Sequence, residues 1–344
     1  MREWPVIHMR TRPLVVGLIV ALAMVLLAGC GATTRVVVCY TSVDQAYADP
    51  VFKTFEAQTG IHILAVYDTE AAKTTGLVNR LIAEQAHPVC DVFWNNETTQ
   101  MSMLEQNNIL RRLPDDAGQG ILARYRDPDG LWAGHAARFR VLLVNTNVLK
   151  GPIPSSVMDL ASSAYPRGSV GMAMPLFGTT AAHAAALYAV LGAARARSFF
   201  QQVSVSGVRI VDGNATVRDL VAQGVLTWGI TDSDDALVAV KRGDPVSVVV
   251  PDQEGMGTLV IPSSVAVIRG GPHLQEADSL AQYLLSEGVE TTLMQEGYCQ
   301  LSTRQEGGIA PLTGASINGM DVDPGSIQVS MATAKAYLTS IFGQ

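Results

Sequence analysis

Apolar runs alternate with amphipathic segments along the first third of the folded chain. The apolar runs predict strands at residues 35–40, 61–67 and 89–94. Each is followed by a segment with apolar residues at helical spacing, at residues 50–59, 75–85 and 101–107. Continuous apolar runs are typical of strands covered on both faces. Three strand–helix repeats therefore predict a mainly parallel sheet.

A second set of α/β elements follows a long extended run at residues 135–145. Its predicted strands lie at residues 170–174, 208–211, 225–230 and 246–250, and its predicted helices at residues 180–191, 195–203 and 217–223. Another extended run, at residues 258–269, is interrupted by Pro262 and therefore predicts an edge or bulged strand. The remaining predicted helices lie at residues 274–285, 290–296 and 332–341.

The two extended runs divide the chain into two domains. The predicted boundaries are 35–138 with 268–344 for the first domain, 146–257 for the second, and 139–145 with 258–267 for the hinge. The length after residue 34 suits two domains better than one. The predicted fold class is therefore α/β, with two Rossmann-like domains joined by two crossover strands. Such hinged pairs close around ligands.

The first 30 residues have the pattern of an export signal. A basic segment precedes the uncharged apolar run 14–27, which is shorter than the roughly 20 residues that a membrane span needs. The run ends in Leu27-Ala28-Gly29-Cys30, which resembles a bacterial lipobox. The interpretation is a signal peptide over residues 1–29, lipidation of Cys30 and a tether over 30–34. The folded body would then be anchored to a membrane of the cell envelope, facing the periplasm or the exterior. A plain cleaved signal or an uncleaved anchor is the alternative.

Composition excludes some classes of function. The net charge is −7 at pH 7, and removing residues 1–29, which carry a net +2, leaves about −9. No basic tract or aromatic pattern for nucleic acid is present, so a nucleic-acid partner is not expected. The spacing of Cys39, Cys90 and Cys299 matches no zinc motif, and these thiols are expected to be small apolar residues rather than disulfide partners. A monomer is expected.

Polar residues follow the predicted strands where each strand ends. Those of the first domain are Ser42, Asp44, Thr69, Glu70, Asn96 and Glu97. Ligands of open α/β sheets sit beyond the carboxyl ends of the strands, so these side chains are expected to converge on one crevice. Some of them are also good helix N-caps.

The second domain offers three further polar groups. Gly178-Thr179-Thr180 opens an alanine-rich helix, whose free N–H groups can hold a carboxylate, phosphate or phosphonate. Asn214 follows another strand. Asp232 and Asp235 belong to an acidic loop that forms one wall of a ligand site or, alternatively, a solvated turn that caps the next helix.

An enzyme is not expected. The chain has no Gly-x-Ser-x-Gly elbow, no His-Glu-x-x-His and no P-loop. Asp232 and Asp235 suit acid–base chemistry, but nothing in the sequence places a nucleophile beside them. A hydrolase that reuses these two carboxylates and a surface adhesin without a cleft ligand are the alternatives from other classes.

The chain resembles the cluster-type II substrate-binding proteins of ABC importers, and is most similar to the ferric-ion-binding branch. The resemblance is carried by residues 38–42, 52–60, 91–94, 145–147, 228–232 and 283–286. It implies a clam fold that captures a ligand between its domains and delivers it to an ABC permease in the cytoplasmic membrane. It implies no cofactor, although a metal ion can be the cargo.

The resemblance also implies iron ligands, and this sequence departs from them. The family's adjacent tyrosines fall where Thr231–Asp235 stand, its histidine falls at Asp44, and its glutamate falls near Glu97. Carboxylates are hard oxygen donors, so Asp44, Glu97, Asp232 and Asp235 are candidate metal ligands. The same acids, opposite a threonine-rich helix N-terminus, also suit a small organic zwitterion or an anion such as a phosphonate. Ferric iron and an organic ligand both stay open.

Overall fold

The computed structural model describes residues 1, 35–68, 75–305, 309–310 and 314–343. The expected signal peptide, the tether with Cys30, and the candidate site residues Thr69 and Glu70 lie outside the described residues. Within the described part of the chain, none of the helices is both long and apolar enough to cross a membrane.

The first lobe is built from three parallel strands and the helices between them. The strands are β1 (Val36–Thr41), β2 (His62–Tyr67) and β3 (Val92–Asn95), and β1 pairs in parallel with the other two. The helices are α1 (Gln45–Thr59), α2 (Thr75–Ala83) and α3 (Met101–Gln106). The predicted parallel pairing is confirmed. Helix α1 begins five residues earlier than predicted, because the backbone oxygen of Asp44 accepts from the amides of Tyr47 and Ala48. Pro50 therefore lies inside the helix, where it removes one backbone hydrogen bond.

The second lobe repeats this arrangement. Its strands are β6 (Val170–Ala173), β7 (Arg209–Val211) and β8 (Trp228–Asp232), and β6 is parallel to both of the others. Its helices are α4 (Gly178–Leu191), α5 (Ala193–Ser206), α6 (Asn214–Ala222) and α7 (Ser233–Arg242). Strand β8 starts later than predicted, because the amides of Val225 and Leu226 bond back to Leu220 and close α6. It ends at Asp232, which is the N-cap residue of α7.

Strand β5 (Trp132–Asn145) joins the two lobes and is buried along its whole length. Its first part pairs antiparallel with β10 (Val260–Ile268), and its second part, from Arg140, pairs antiparallel with β8. Short strands β4 (Leu110–Arg111) and β9 (Val246–Val249) pair with β10 and β5. The order β2-β1-β3-β10-β5-β8-β6-β7 is therefore continuous across both lobes. The predicted irregularity is present as a register shift between Pro262 and Ser263.

The last three helices do not share one lobe. Helices α8 (Leu274–Leu284) and α9 (Glu287–Glu296) pack on the first lobe, as predicted. Helix α10 (Pro324–Phe342) packs on the second lobe, where Leu338 lies in one apolar cluster with Tyr188. This corrects the boundary that placed all of 268–344 in the first domain. Helix α10 also begins eight residues earlier than predicted, because Asp323 caps it through the amide of Ser326.

A short strand pair and three buried cysteines are two further features of the described residues. Strands β11 (Ile309–Ala310) and β12 (Ala315–Ser316) form an antiparallel pair. The thiols of Cys39, Cys90 and Cys299 are free and buried, and burial raises the pKa of each of them.

Candidate functional site

A cavity of about 230 Å³ lies where the two lobes meet. The first lobe contributes Asp44 and Asn96 to its lining, β5 contributes Arg138, and the second lobe contributes most of the rest. Among the described residues, the charged groups of the lining are five carboxylates and one guanidinium, namely Asp44, Asp212, Asp232, Asp234, Asp235 and Arg138. The cavity is therefore strongly polar and predominantly acidic.

Arg140 is the fully buried anchor of the cavity wall. Its Nη1 lies 2.5 Å from Asp232 Oδ1 and also donates to Thr179 Oγ1 and Asn214 Oδ1, both at 3.2 Å. Its Nη2 donates to Thr180 Oγ1 at 3.5 Å. A buried guanidinium needs such partners to offset its lost hydration. One arginine thus ties β5 to β8 and to the first turns of α4 and α6.

Asp232 is the acceptor at the centre of this network. Its Oδ2 accepts from Thr179 Oγ1 at 2.7 Å and from Asn214 Nδ2 at 3.1 Å. Burial alone would raise the pKa of Asp232, but the charges of Arg140 and Arg138 outweigh burial and lower it. The carboxylate is therefore ionised and already engaged by the protein's own groups.

Arg138 lies on the same face of β5 as Arg140, two residues earlier in the strand. Its Nη1 lies 3.5 Å from Asp232 Oδ2 and 3.5 Å from Asp234 Oδ2, and its Nη2 donates to the backbone oxygen of Asn96. The guanidinium also lies 5.2 Å from the ring centroid of Tyr298, a cation–π distance. Only 4% of Arg138 is exposed, so its charge is held inside the cavity wall.

Asp234 and Asp235 form the acidic side of the cavity. Burial raises the pKa of Asp234 to about 6; Arg138 opposes this shift, while Asp232 and Asp44 add to it. Burial and the neighbouring Asp234 likewise raise the pKa of Asp235, which is 3.0 Å from Arg218. Asp234 Oδ1 is buried and has no hydrogen-bond partner among the described residues. An acceptor of this kind is costly unless a ligand or water meets it.

The stability of the wild type relative to Asp234→Asn is expected to fall as the pH rises from about 4 to about 6. The folded-state pKa of Asp234, about 6, lies above the ordinary value of 3.8. In this window the folded protein binds more protons than the unfolded chain, so the free energy of unfolding decreases with pH. Asparagine carries no such proton and lacks this dependence. Urea unfolding of both proteins across this range measures the difference, and a pH-independent difference would contradict the buried environment of Asp234.

Two of the predicted site residues lie outside the cavity lining. Ser42 Oγ donates to Asn95 Oδ1 and accepts from the amide of Asn96, which fixes the loop after β3. The carboxylate of Glu97 accepts from the amides of Thr99 and Gln100, within its own loop. Both Glu97 oxygens are turned toward that loop. The structure therefore does not bring Glu97 to the other candidate metal ligands.

The other described candidates converge as expected. Asp44, Asn96, Gly178, Thr179, Thr180, Asn214, Asp232 and Asp235 all line the cavity. Sequence reasoning missed Arg138, Arg140 and Arg218, and it included Asp234 in the acidic loop without naming it as a site residue. The sequence did contain a signal for Arg138 and Arg140. They stand at positions i and i+2 of an otherwise apolar run, so they share one face of a strand. Buried charges there need partners of opposite charge.

Comparison with known proteins identifies relatives along most of the chain. A family model described as "Bacterial extracellular solute-binding protein" matches residues 82–306, more than half of the chain. Iron uptake protein A1 from Synechocystis sp. is 24% identical over 273 residues, which cover 75% of this chain and 73% of that protein.

Solved structures share the fold at low identity. IdiA (FutA) from Trichodesmium, in complex with iron and citrate ligands, is 20% identical with a TM-score of 0.73, covering 90% of this chain and 100% of that one. The periplasmic binding protein AfuA from Actinobacillus pleuropneumoniae, with exogenous fructose-6-phosphate bound, is 20% identical with a TM-score of 0.76, covering 91% and 99%. These likenesses confirm the predicted two-domain fold of type II periplasmic binding proteins. With the family match, they show that the chain belongs to the bacterial extracellular solute-binding proteins.

Proposed function

We propose that this protein captures a small organic ligand carrying a positively charged nitrogen in the cavity between its lobes, and delivers it to an ABC permease in the cytoplasmic membrane. The observation that carries the proposal is the charge of the cavity lining, with five aspartates and one arginine. The volume of about 230 Å³ is below the roughly 300–1,000 Å³ typical of sites for drug-sized molecules, which favours a small ligand.

The charge imbalance persists when neighbouring arginines are counted. Arg140 and Arg218 lie behind the lining and pair with Asp232 and Asp235. Even without Asp44, four carboxylates of the described residues face three guanidiniums. A bound cation would offset the remaining repulsion, and an ammonium group with three N–H donors would supply hydrogen bonds to several carboxylates at once. Asp234 Oδ1, buried and without a partner, is the acceptor best placed for it.

An anionic ligand such as a phosphonate has less support. The threonine hydroxyls at the start of α4 bond to groups of the protein, with Thr179 donating to Asp232 Oδ2 at 2.7 Å. The Thr179 hydroxyl is thus already engaged by a carboxylate of the protein. A second anion there would face Asp232 and Asp234 with like charge.

Ferric iron is the second candidate. It is favoured by the iron named in the relatives' descriptions and by the ligand oxygens of Asp232, Asp234 and Asp235, which lie within 4.8 Å of one another. Against it, none of the described lining residues is a tyrosine or histidine, and all three carboxylates are paired with arginines. A hydrolase that uses Asp232 and Asp235 has less support for the same reason.

Family membership supports transport, and the sequence pattern supports the rest of the proposal. The relatives are binding proteins, which favours transport over catalysis. A lipid on Cys30 would hold the folded body to a membrane, facing the periplasm or the exterior, as a monomer. The lobes, with α10 assigned to the second, would close about β5 and the segment that leads into β10.

Small-angle scattering and thermal unfolding test the ligand class together. Putrescine, choline and arginine represent cationic ligands, phosphate and methylphosphonate represent phosphorus anions without a charged nitrogen, and ferric citrate represents iron. At least one cationic compound is expected to compact the protein and to stabilise it by about 2.7 kcal/mol at 100 times its dissociation constant. Compaction by phosphate or ferric citrate, with none by any cationic compound, would contradict the proposal.

A further inference from the structure

We propose that the guanidinium of Arg138 occupies the position that a metal ion would take among the cavity carboxylates, so that Arg138 selects organic cations over multivalent metal ions. The inference rests on the proposed function, because the same carboxylates would meet the positively charged nitrogen of the ligand. It makes Arg138 a specificity-determining residue of that site.

The first support is the spacing of the carboxylates. Oxygens that share one cation at about 2.0–2.6 Å cannot lie more than about 5 Å apart. The ligand oxygens of Asp232, Asp234 and Asp235 lie within 4.8 Å of one another, which meets this condition. Nη1 of Arg138 is 3.5 Å from an oxygen of Asp232 and 3.5 Å from an oxygen of Asp234. The guanidinium therefore bridges two members of a group whose spacing suits one cation.

The second support is that Arg138 is held in place. Its Nη2 donates to the backbone oxygen of Asn96, and its planar group lies 5.2 Å from the ring centroid of Tyr298. The residue is 4% exposed on a central strand, so there is no solvent position into which its head group can swing without rearrangement of the wall. A guanidinium also cannot be deprotonated in a protein. The positive charge is thus permanent.

The third support is the number of oxygen ligands that remain. Asp232 is engaged by Arg140 Nη1 at 2.5 Å and by Thr179, and Asp235 is paired with Arg218 at 3.0 Å. A hard metal ion in a protein takes about six or more oxygen ligands, several of them carboxylates. It would have to displace these pairs and bear the repulsion of Arg138. An ammonium group needs about three acceptors and carries a single charge, and Asp234 Oδ1 is a buried acceptor without a partner.

The test is a titration with Tb³⁺, a hard trivalent cation, followed by its luminescence. Wild type and Arg138→Lys are expected to show no saturable binding at the cavity. Arg138→Gln, which keeps a polar side chain but no charge, is expected to bind Tb³⁺ at least 100-fold more tightly than wild type. Adding Asp234→Asn to that variant is expected to remove the gain. Arg242→Gln, which breaks an exposed pair with Asp219 on α6, is the control and should behave as wild type.

Two results would overturn the proposal. One is a folded Arg138→Gln protein that gains no Tb³⁺ affinity. The other needs no variant of Arg138: the wild type binds Tb³⁺ saturably, and the substitution Asp234→Asn abolishes that binding. If Arg138→Gln folds poorly, refolding in Tb³⁺ but not in K⁺ is the expected result, and failure in both counts against the proposal. Cation titrations of the wild type report on the proposed function separately, whatever the Tb³⁺ result.

Discussion

Replacing Asp234 with asparagine is expected to lower the affinity for the cationic ligand about 100-fold at pH 7.5. Removing one partner of a buried, hydrogen-bonded charge pair costs roughly 2–5 kcal/mol, and about 2.7 kcal/mol corresponds to a factor of 100. Asp234 is 7% exposed, and its Oδ1 is a buried acceptor without a partner in the described part of the chain. With its pKa near 6, this carboxyl is ionised at pH 7.5. Isothermal titration with whichever cationic compound binds the wild type measures the loss.

The pH dependence provides an internal check on that result. The affinity of the wild type should rise as the pH passes through about 6, because Asp234 then gains the charge that the ligand meets. The affinity of Asp234→Asn should depend less on pH over the same range. Asp278→Asn, which removes a carboxylate paired with Arg111 on the first lobe, is the matched control and should bind as wild type. Equal affinities of wild type and Asp234→Asn would contradict a direct contact between Asp234 and the ligand.

Replacing Arg140 with methionine is expected to destabilise the protein by about 3–5 kcal/mol. Breaking a buried ion pair from one side removes the compensation of the other charge, and Asp232 would keep only its longer 3.5 Å contact with Arg138. Here the side chain of Asp232 is 3% exposed, and the hydrogen bonds of Arg140 to Thr179 and Asn214 are lost as well. The midpoint of urea unfolding should move to lower concentration at an unchanged slope.

An exposed ion pair of the same kind supplies the comparison. Arg242 bonds to Asp219 at 3.1 Å, but their side chains are 52% and 41% exposed. Such pairs contribute about 0–1 kcal/mol, so Arg242→Gln should change the free energy of unfolding by no more than that. Comparable losses in the two variants would show that Arg140 is not the structural anchor inferred from its burial.

Local patterns were enough to predict most of the elements and half of the cavity. Continuous apolar runs predicted β1 to β3. Asp44 and Asn96 follow two of these strands, and both line the cavity. Gly178 to Thr180 and Asp232 were found because strand ends and helix starts carry the ligand sites of open α/β sheets. These signals are contained within short windows of sequence.

What could not be predicted depends on contacts between distant segments. Arg140 and Asp232 are 92 positions apart, and their pairing is fixed by the register of β5 against β8. Glu97 stands at a strand end like Asn96, yet its carboxylate turns back to cap its own loop, an outcome that residue type alone does not decide. Helix α10 follows the first-lobe helices in sequence but packs on the second lobe, because its apolar face fits there.

The structure shows what stands in place of the iron ligands that the family resemblance implies. The acidic segment after β8 is a wall of the cavity, as the site hypothesis required, but its first carboxylate is committed to two arginines. We propose that this chain shares its fold with iron-binding relatives but has a cavity whose charges favour another cation. In this interpretation the lining, rather than the fold, decides what is bound.

Native mass spectrometry combined with metal analysis, on protein as purified, tests the central claim most directly. We expect no stoichiometric iron to be present, and an added or co-purified organic cation to form a one-to-one complex with the wild type but not with Asp234→Asn. Stoichiometric iron retained by the wild type, with no complex formed by any organic cation, would contradict it.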